Sequence, residues 1–219
     1  MKNSVITRSL IGVLAFIGGL TVLAVLVNIV PLGFRSNFGH SPEASPWDAA
    51  LYEEDSNNPN GRRYPGSATW RNEMVSPGPG LAPELAVRAD IKIPQRRMTV
   101  TLSLRHNTDN AIPGVYAIEI IFDVPVDFPG GGIANVPGIL MKEAEQSLGS
   151  PLPETPVRMA NGSFRIGLAR GDVDLQLLKN TPWFDIPIFY ANGNRAIITM
   201  AKGPSGDRAF ADAFTVWQK

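Results

Sequence analysis

The 219 residues include 20 Lys and Arg against 20 Asp and Glu, which gives a formal net charge of zero, and there is no cysteine. A balanced charge argues against a nucleic-acid-binding protein, because such proteins carry a basic surface. The absence of cysteine excludes disulfide bonds, thiolate metal sites, iron–sulfur clusters and cysteine nucleophiles. We therefore expect no nucleic-acid partner and no cofactor.

The most apolar stretch lies near the N-terminus, where no residue from Ser9 to Phe34 is charged. The roughly 21 residues of Leu10–Val30, at about 1.5 Å each, are long enough to cross a hydrocarbon core of about 30 Å. We predict a transmembrane anchor over residues 10–32, in contact with the lipid bilayer through Leu10 to Val30. A cleaved secretory signal is the alternative, but its apolar region is usually about 7–15 residues and an Ala-x-Ala site follows it. No such site follows here.

The charges beside the anchor predict its orientation. Lys2 and Arg8 precede it and Arg35 follows it, and this slight excess on the N-terminal side favours a cytoplasmic N-terminus. The chain is then expected to cross the membrane once, with its C-terminal domain on the side away from the cytoplasm. The predicted segments are a cytoplasmic N-terminus 1–9, the anchor 10–32, a tether 33–66 rich in Pro, Gly, Asn and Ser, and a β-rich domain 67–219.

Two aromatic segments stand out in and just after the predicted tether. Trp47–Asp55 is predicted as a short helix or a docking segment, and Ala68–Glu73 as a first strand. Because an exposed Trp is costly, Trp47 and Trp70 are expected to pack on a partner or, as we favour, on the domain itself. The candidate partner-contact residues are Trp47, Tyr52, Trp70 and Arg71.

From Glu84 onwards apolar and polar residues alternate, which is typical of half-buried strands. Strands are predicted over Leu85–Ile93, Met98–Arg105 and Tyr116–Val124, followed by a helix over Ile139–Leu148. The pairs Asn161-Gly162 and Asn192-Gly193 each predict a tight hairpin turn. Pro187 lies inside the first strand of the second hairpin, which indicates an edge strand or a bulge.

Two further helices are predicted in the C-terminal third. Asp172 is placed as the cap of a short helix that ends at Lys179. Ser205 is placed as the cap of an amphipathic terminal helix, which should cover an open face or end of the sheet through Phe210, Ala213, Phe214 and Trp217. The predicted fold class is mainly β: an antiparallel β-sandwich-like domain with a few short helices and a C-terminal amphipathic helix.

A first resemblance is carried by the runs Leu51–Asp55, Trp70–Glu73, Ala86–Ile91, Asn135–Lys142 and Trp183–Pro187. In these runs the chain resembles a group of uncharacterised single-pass membrane-anchored proteins of rhizobium-like alphaproteobacteria. The resemblance implies a fold and a location in a bacterial inner membrane, with the C-terminal domain in the periplasm, and no chemistry.

A second resemblance is carried by four features of the second half: the proline-containing elbow Phe122–Pro125, the short helix Asp172–Lys179, a hairpin around Gly193, and a terminal helix with Phe210 and Phe214. In layout these features are similar to the invasion-associated locus B family of periplasmic β-sandwich proteins. That family carries pairs of cysteines, and this chain has none.

Few residues suggest catalysis. With only His40 and His106, both expected to be solvated, a three-histidine metal site is excluded within one chain. Glu119 and Asp123 lie on one strand roughly 13 Å apart, too far for a glycosidase pair unless Glu143 or Asp185 joins one of them. We predict no catalytic residues and no metal site.

Three functions remain open. The favoured one is a non-catalytic accessory or protein-binding module that meets an envelope or membrane protein. The second is a structural subunit of an inner-membrane assembly, since the small residues Gly12, Ala15 and Gly19 would let two anchors pack as a homodimer. The third is a hydrolase of envelope glycans or peptides that uses Glu119, Asp123 or Glu143.

Overall fold

The computed structural model describes residues 48–77, 80–152, 156–160 and 162–218. Trp47, His40, the predicted anchor 10–32 and the first part of the predicted tether lie outside the described residues. Within the described ranges, no helix has both the length and the apolar character needed to cross a membrane.

The described part of the chain is mainly β, with twelve strands and two helices. The strands are β1 (Ala49–Asp55), β2 (Asn58–Val75), β3 (Glu84–Ile93), β4 (Met98–His106), β5 (Tyr116–Asp123), β6 (Ile133–Asn135), β7 (Leu140–Lys142), β8 (Ser150–Pro151), β9 (Val157–Ala160), β10 (Ser163–Leu168), β11 (Trp183–Tyr190) and β12 (Arg195–Ala201). The helices are α1 (Asp172–Asn180) and α2 (Gly203–Trp217), and a short 3₁₀ turn, Pro94–Arg96, joins β3 to β4.

All the strands belong to one antiparallel sheet in the order β8-β7-β11-β12-β1-β2-β3-β4-β5-β10-β9, with β6 also pairing with β11. Strands β2 to β5 follow one another along the chain as neighbours, so this part forms from successive hairpins. Strand β1 lies near the middle of the order, where it pairs with β12 on one side and β2 on the other. The mainly β, antiparallel character predicted from the sequence is therefore confirmed.

The long strand β2 curls the sheet by changing partner halfway along its length. Its first part, up to Gly66, pairs with β1, and its second part, from Ser67 onwards, pairs with β3. At the change of partner, a Cβ on Gly66 would lie 2.4 Å from Ile93 Cδ1 and 2.5 Å from the Lys92 carbonyl oxygen. Only glycine allows the two strands to approach this closely, so the bend depends on this position.

The core lies on the concave face of the curled sheet. Alternate residues of β3, β4 and β5 point into it, among them Ile91, Leu104 and Ile120, which are fully or almost fully buried. The apolar sides of α1 and α2 pack into the same core through Leu175, Leu178, Phe210 and Phe214. The apolar stripe predicted for the terminal helix is confirmed for Phe210, Ala213 and Phe214.

Three predictions of local structure are wrong. Residues 49–66 form β1 and the first part of β2 instead of a tether, and Ala49–Asp55 is a strand instead of part of a short helix over Trp47–Asp55. Ala49 to Tyr52 are buried on both faces of the sheet, so the alternation that marks a half-buried strand is missing. The predicted helix over Ile139–Leu148 is instead β7 followed by a loop that leads to β8.

The predicted ends and turns agree more closely with the structure. Helix α1 begins at Asp172, but Gly171 is its cap and Asp172 lies in the first turn; α2 begins at Gly203, two residues before the predicted cap Ser205. Gly162 and Gly193 have φ angles of 72° and 89°, as tight hairpin turns require. On one side of β11, β7 pairs up to Asp185 and β6 pairs from Phe189 onwards. Pro187 lies in the gap between these two short strands.

Candidate functional site

The structure separates the four predicted partner-contact residues. Trp70 is only 4% exposed, its ring packs against Phe184 and Phe210, and its indole N–H donates a hydrogen bond to the Ala201 carbonyl oxygen at 2.9 Å. It therefore packs on the domain and offers no surface to a partner. Arg71 is exposed on the outer face and forms ion pairs with Asp90 and Glu73, while Trp47 lies outside the described residues.

Tyr52 belongs to a network of polar side chains on the outer, convex face of the sheet. We call Tyr52, Arg63, Lys142, Glu145 and Asp185 the outer clasp. Tyr52 and Arg63 are register partners on β1 and β2, Lys142 ends β7, Asp185 lies on the neighbouring β11, and Glu145 belongs to the loop after β7. The outer clasp thus fastens this loop across β11, β12, β1 and β2.

The loop end of the outer clasp is built around the Glu145 carboxylate. Its Oε1 atom accepts a hydrogen bond from the Tyr52 hydroxyl at 2.7 Å and pairs with Arg63 Nη2 at 3.2 Å. Arg63 Nε also donates to the Tyr52 oxygen at 3.0 Å. Burial and the neighbouring Glu145 carboxylate together raise the pKa of Tyr52 to about 12, because both disfavour the phenolate.

The other end of the outer clasp is a buried pair of opposite charges. Lys142 Nζ lies 3.1 Å and 3.0 Å from the two carboxylate oxygens of Asp185, and it also donates to the main-chain oxygen of Glu145. The side chains are only 6% and 10% exposed. Burial raises the pKa of Asp185 even though the Lys142 ammonium acts in the opposite direction.

A second buried network lies on the concave side. Glu53 accepts hydrogen bonds from the Tyr190 hydroxyl at 2.6 Å and from Arg96 Nε at 2.9 Å. The Arg96 guanidinium lies 5.2 Å from the centre of the Tyr64 ring and 5.1 Å from that of Phe128. Burial and then the Glu53 carboxylate raise the pKa of Tyr190. The Glu53 carboxylate, the Tyr190 hydroxyl and the Arg96 guanidinium are hydrogen-bond partners of one another. This network therefore fixes the 3₁₀ turn and the loop around Phe128 to the sheet.

The carboxylates considered for hydrolysis are not assembled into a site. Glu119 pairs with Arg165 at 2.9 Å, Asp123 is exposed at the end of β5, and Glu143 is exposed just after β7. Asp185 is engaged with Lys142 on a different strand. No hydrogen bond between described residues joins any two of these four carboxylates.

The remaining predicted polar positions have structural partners. His106 was expected to be solvated, but its Nδ1 atom lies 2.9 Å from Glu84 Oε2, and its ring packs against Tyr116 and Trp217. Across the described part of the chain, no group of three or more His, Asp and Glu side chains is arranged to hold a metal ion.

The last strand in the sheet order, β9, forms an exposed edge with apolar side chains. It pairs with β10 on one side and with no described strand on the other, and all four of its residues are exposed. Val157 and Met159 are 44% and 43% exposed, and Ile121, two strands away, is 43% exposed. We call Val157, Met159 and Ile121 the apolar edge.

Register shows that two members of the apolar edge share one face. Val157 is opposite Arg165, Ile121 is opposite Ser163, and these two β10 residues point to the same side. Two strand spacings of about 4.8 Å, together with an offset of two residues along the strand, place Val157 and Ile121 roughly 12 Å apart. The sequence analysis missed this surface, although Pro156, directly before Val157–Ala160, is typical of an edge strand.

Comparison with known proteins adds no relative from which to transfer a function. The chain matches no protein-family model, no curated protein and no solved structure.

Proposed function

We propose that this protein is an accessory module without catalytic activity, which is held in a bacterial inner membrane and binds an envelope or membrane protein. In this proposal residues 10–32 anchor the chain in the lipid bilayer, the N-terminus is cytoplasmic and the β-rich domain lies in the periplasm. The long uncharged run Leu10–Val30 and the basic residues Lys2 and Arg8 before it support this arrangement.

The observation that carries the binding role is the apolar edge. An unpaired strand offers backbone N–H and C=O groups to another chain, and soluble proteins usually protect such edges with charges or a covering segment. Here β9 carries one charged residue, Arg158, and Val157, Met159 and Ile121 present apolar side chains beside the open edge. These features favour a partner that adds an extended strand to β9 and places apolar side chains over Val157 and Ile121.

The packed interior also favours binding at the surface. Trp70 and Phe184, from different halves of the curled sheet, contact each other across the core, which is the arrangement expected of a sandwich-like domain. The void between them has about the size of one water molecule and is lined by apolar side chains, including Leu102, Ile118 and Leu178. A void of this size does not accommodate a small-molecule ligand.

Site-specific photo-cross-linking in native membranes tests this proposal. A photoreactive amino acid at Met159 should give one cross-linked species, and the same probe at Val126 should not give it, because Val126 is fully exposed but lies on the loop after β5. Adding Val157→Asp to the Met159 probe should abolish the cross-link, since a charge there opposes an apolar contact.

The same experiment distinguishes the competing functions. Equal labelling from the two positions, or no adduct from Met159, would contradict strand addition at β9. An adduct between two copies of this chain would instead favour the structural subunit, with Gly12, Ala15 and Gly19 packing two anchors together.

A further inference from the structure

Lys142 and Asp185 form an unusual pair among the lysine ion pairs described. They lie on the same outer face of the neighbouring strands β7 and β11 and are two residues apart in register, because Lys142 is opposite Trp183 and Asp185 is opposite Leu140. Both are almost completely buried, whereas Lys202, which is equally buried, pairs at 3.1 Å with Asp207, whose side chain is 66% exposed. Burial of both partners distinguishes the Lys142–Asp185 pair from an ordinary surface ion pair.

The geometry of this pair also brings two groups that can condense within reach of each other. Lys142 Nζ is almost equidistant from Asp185 Oδ1 and Oδ2, at 3.1 and 3.0 Å, which places the carboxyl carbon between them within about 3.5 Å of the nitrogen. The Glu145 main-chain oxygen accepts a hydrogen bond from the same nitrogen and holds it in place. Reactive atoms held about 3–3.5 Å apart have effective concentrations of roughly 10⁵–10⁸ M.

We propose that Lys142 and Asp185 become joined by an intramolecular amide bond between Nζ and Cγ, formed by the folded protein itself. The proton first passes from the ammonium to the carboxylate, which leaves a neutral amine beside a carboxylic acid. The nitrogen lone pair attacks Cγ and the C–N bond forms. The nitrogen then gives one proton to the departing hydroxyl, whose C–O bond breaks, so that one water molecule leaves. Atoms and charge balance within the pair, and no oxidant, cofactor or second substrate is required.

Burial assists each stage of this reaction. A site of low polarity disfavours the charged form of the buried Asp185 carboxyl, and the neutral acid is the form that reacts. The raised pKa of Asp185 acts in the same direction. The Glu145 carboxylate contributes to that shift, so Glu145 is a positioning residue that holds the amine and raises the pKa of the acid.

The bond would give this chain a covalent link that its composition otherwise lacks. The two residues are 43 positions apart, and the sequence contains no cysteine from which to make a disulfide. The link would fasten the short strand β7 to β11 and would persist after the domain unfolds. It would also be independent of any partner, so its test does not depend on the proposed binding function.

Intact-mass spectrometry of the full-length protein purified in detergent tests the proposal. The wild-type protein is expected to be lighter than its sequence by one water molecule, and digestion should release one branched peptide that joins the segments around Lys142 and Asp185. Lys142→Arg keeps a positive charge but removes the nucleophile, so this variant should have its full sequence mass. Lys202→Arg is the matched control and should still lose the water.

Two results would overturn the assignment. A folded wild-type protein at its full sequence mass shows that the pair is an ion pair only. A loss of water that persists in Lys142→Arg shows that the modification lies elsewhere in the chain.

Discussion

The ring centres of Trp70 and Phe184 lie 5.9 Å apart, although β2 and β11, the strands that carry them, are separated in the sheet by β1 and β12. In a flat sheet, three strand spacings would place these residues roughly 14 Å apart. The contact is therefore possible only because the sheet curls around its own core. The bend in β2 at Gly66 and the ring of Trp70 are the two features that maintain this curl.

Trp70→Ala is expected to lower the free energy of unfolding by about 3–5 kcal/mol, because it leaves a large cavity between the two halves of the sheet. Arg71→Ala, at the next position, should cost no more than about 1 kcal/mol, since its ion pairs are exposed to solvent. Denaturant titration of the two variants measures both values. Similar losses would contradict the placement of Trp70 in the core.

Gly66→Ala should destabilise the protein by about 1–3 kcal/mol, because the new methyl group overlaps Ile93 Cδ1 and the Lys92 carbonyl oxygen. Ile93→Val removes the Cδ1 atom but leaves the main-chain oxygen in place. In the double variant, Gly66→Ala should therefore cost less than it does in the wild-type protein, because one of the two overlaps is gone. It should still cost something, because the overlap with the main-chain oxygen remains. The free energies of unfolding in a double-mutant cycle measure this coupling, and strict additivity would show that the side-chain overlap is absent.

Arg96→Ala is expected to cost about 3–5 kcal/mol, since it leaves the Glu53 carboxylate buried without its positive partner. It also removes the guanidinium that lies between the rings of Tyr64 and Phe128. Thermal and denaturant unfolding of the variant provide the measurement.

A neighbouring ion pair provides the control for Arg96. Asp127→Asn breaks the contact between Arg97 and Asp127, whose side chains are 62% and 71% exposed, and should cost no more than about 1 kcal/mol. If the Arg96 variant proves as stable as the Asp127 variant, the concave network does not fix the loop around Phe128.

The raised pKa of Tyr52 predicts a loss of stability at high pH. Its pKa rises from the unfolded value of 10.0 to about 12 on folding, so between these values the unfolded chain releases a proton that the folded chain retains. The free energy of unfolding should therefore fall as the pH rises through this range, by about 2–3 kcal/mol for this group. The contribution is fully present below pH 10.

Tyr52→Phe isolates this effect from the other tyrosines. Denaturant titrations across the same pH range should show a shallower decline for Tyr52→Phe than for the wild-type protein. Parallel declines in the two proteins would mean that the Tyr52 hydroxyl is not held against Glu145 in solution.

The sequence allowed β3, β4 and β5 to be predicted because one face of each strand is buried and the other is solvated. Strand β1 did not show this pattern, since Ala50 and Tyr52 on its outer side are buried as well. The composition around Lys142 and Glu145 favours a helix. Local composition does not show that Asp185 and Tyr52, which are distant in the sequence, pair with these residues and hold them in a strand and a loop. The outer clasp joins positions from 52 to 185, and only the register of the sheet brings them together.

The most direct test of a membrane-anchored module is the side of the membrane on which each part of the chain lies. Because the chain has no cysteine, Val126→Cys and Asn3→Cys each provide a single reactive thiol. A membrane-impermeant maleimide added to intact spheroplasts should label Val126→Cys, and it should label Asn3→Cys only after lysis. Labelling of Asn3→Cys in intact spheroplasts, with Val126→Cys protected until lysis, would contradict the account.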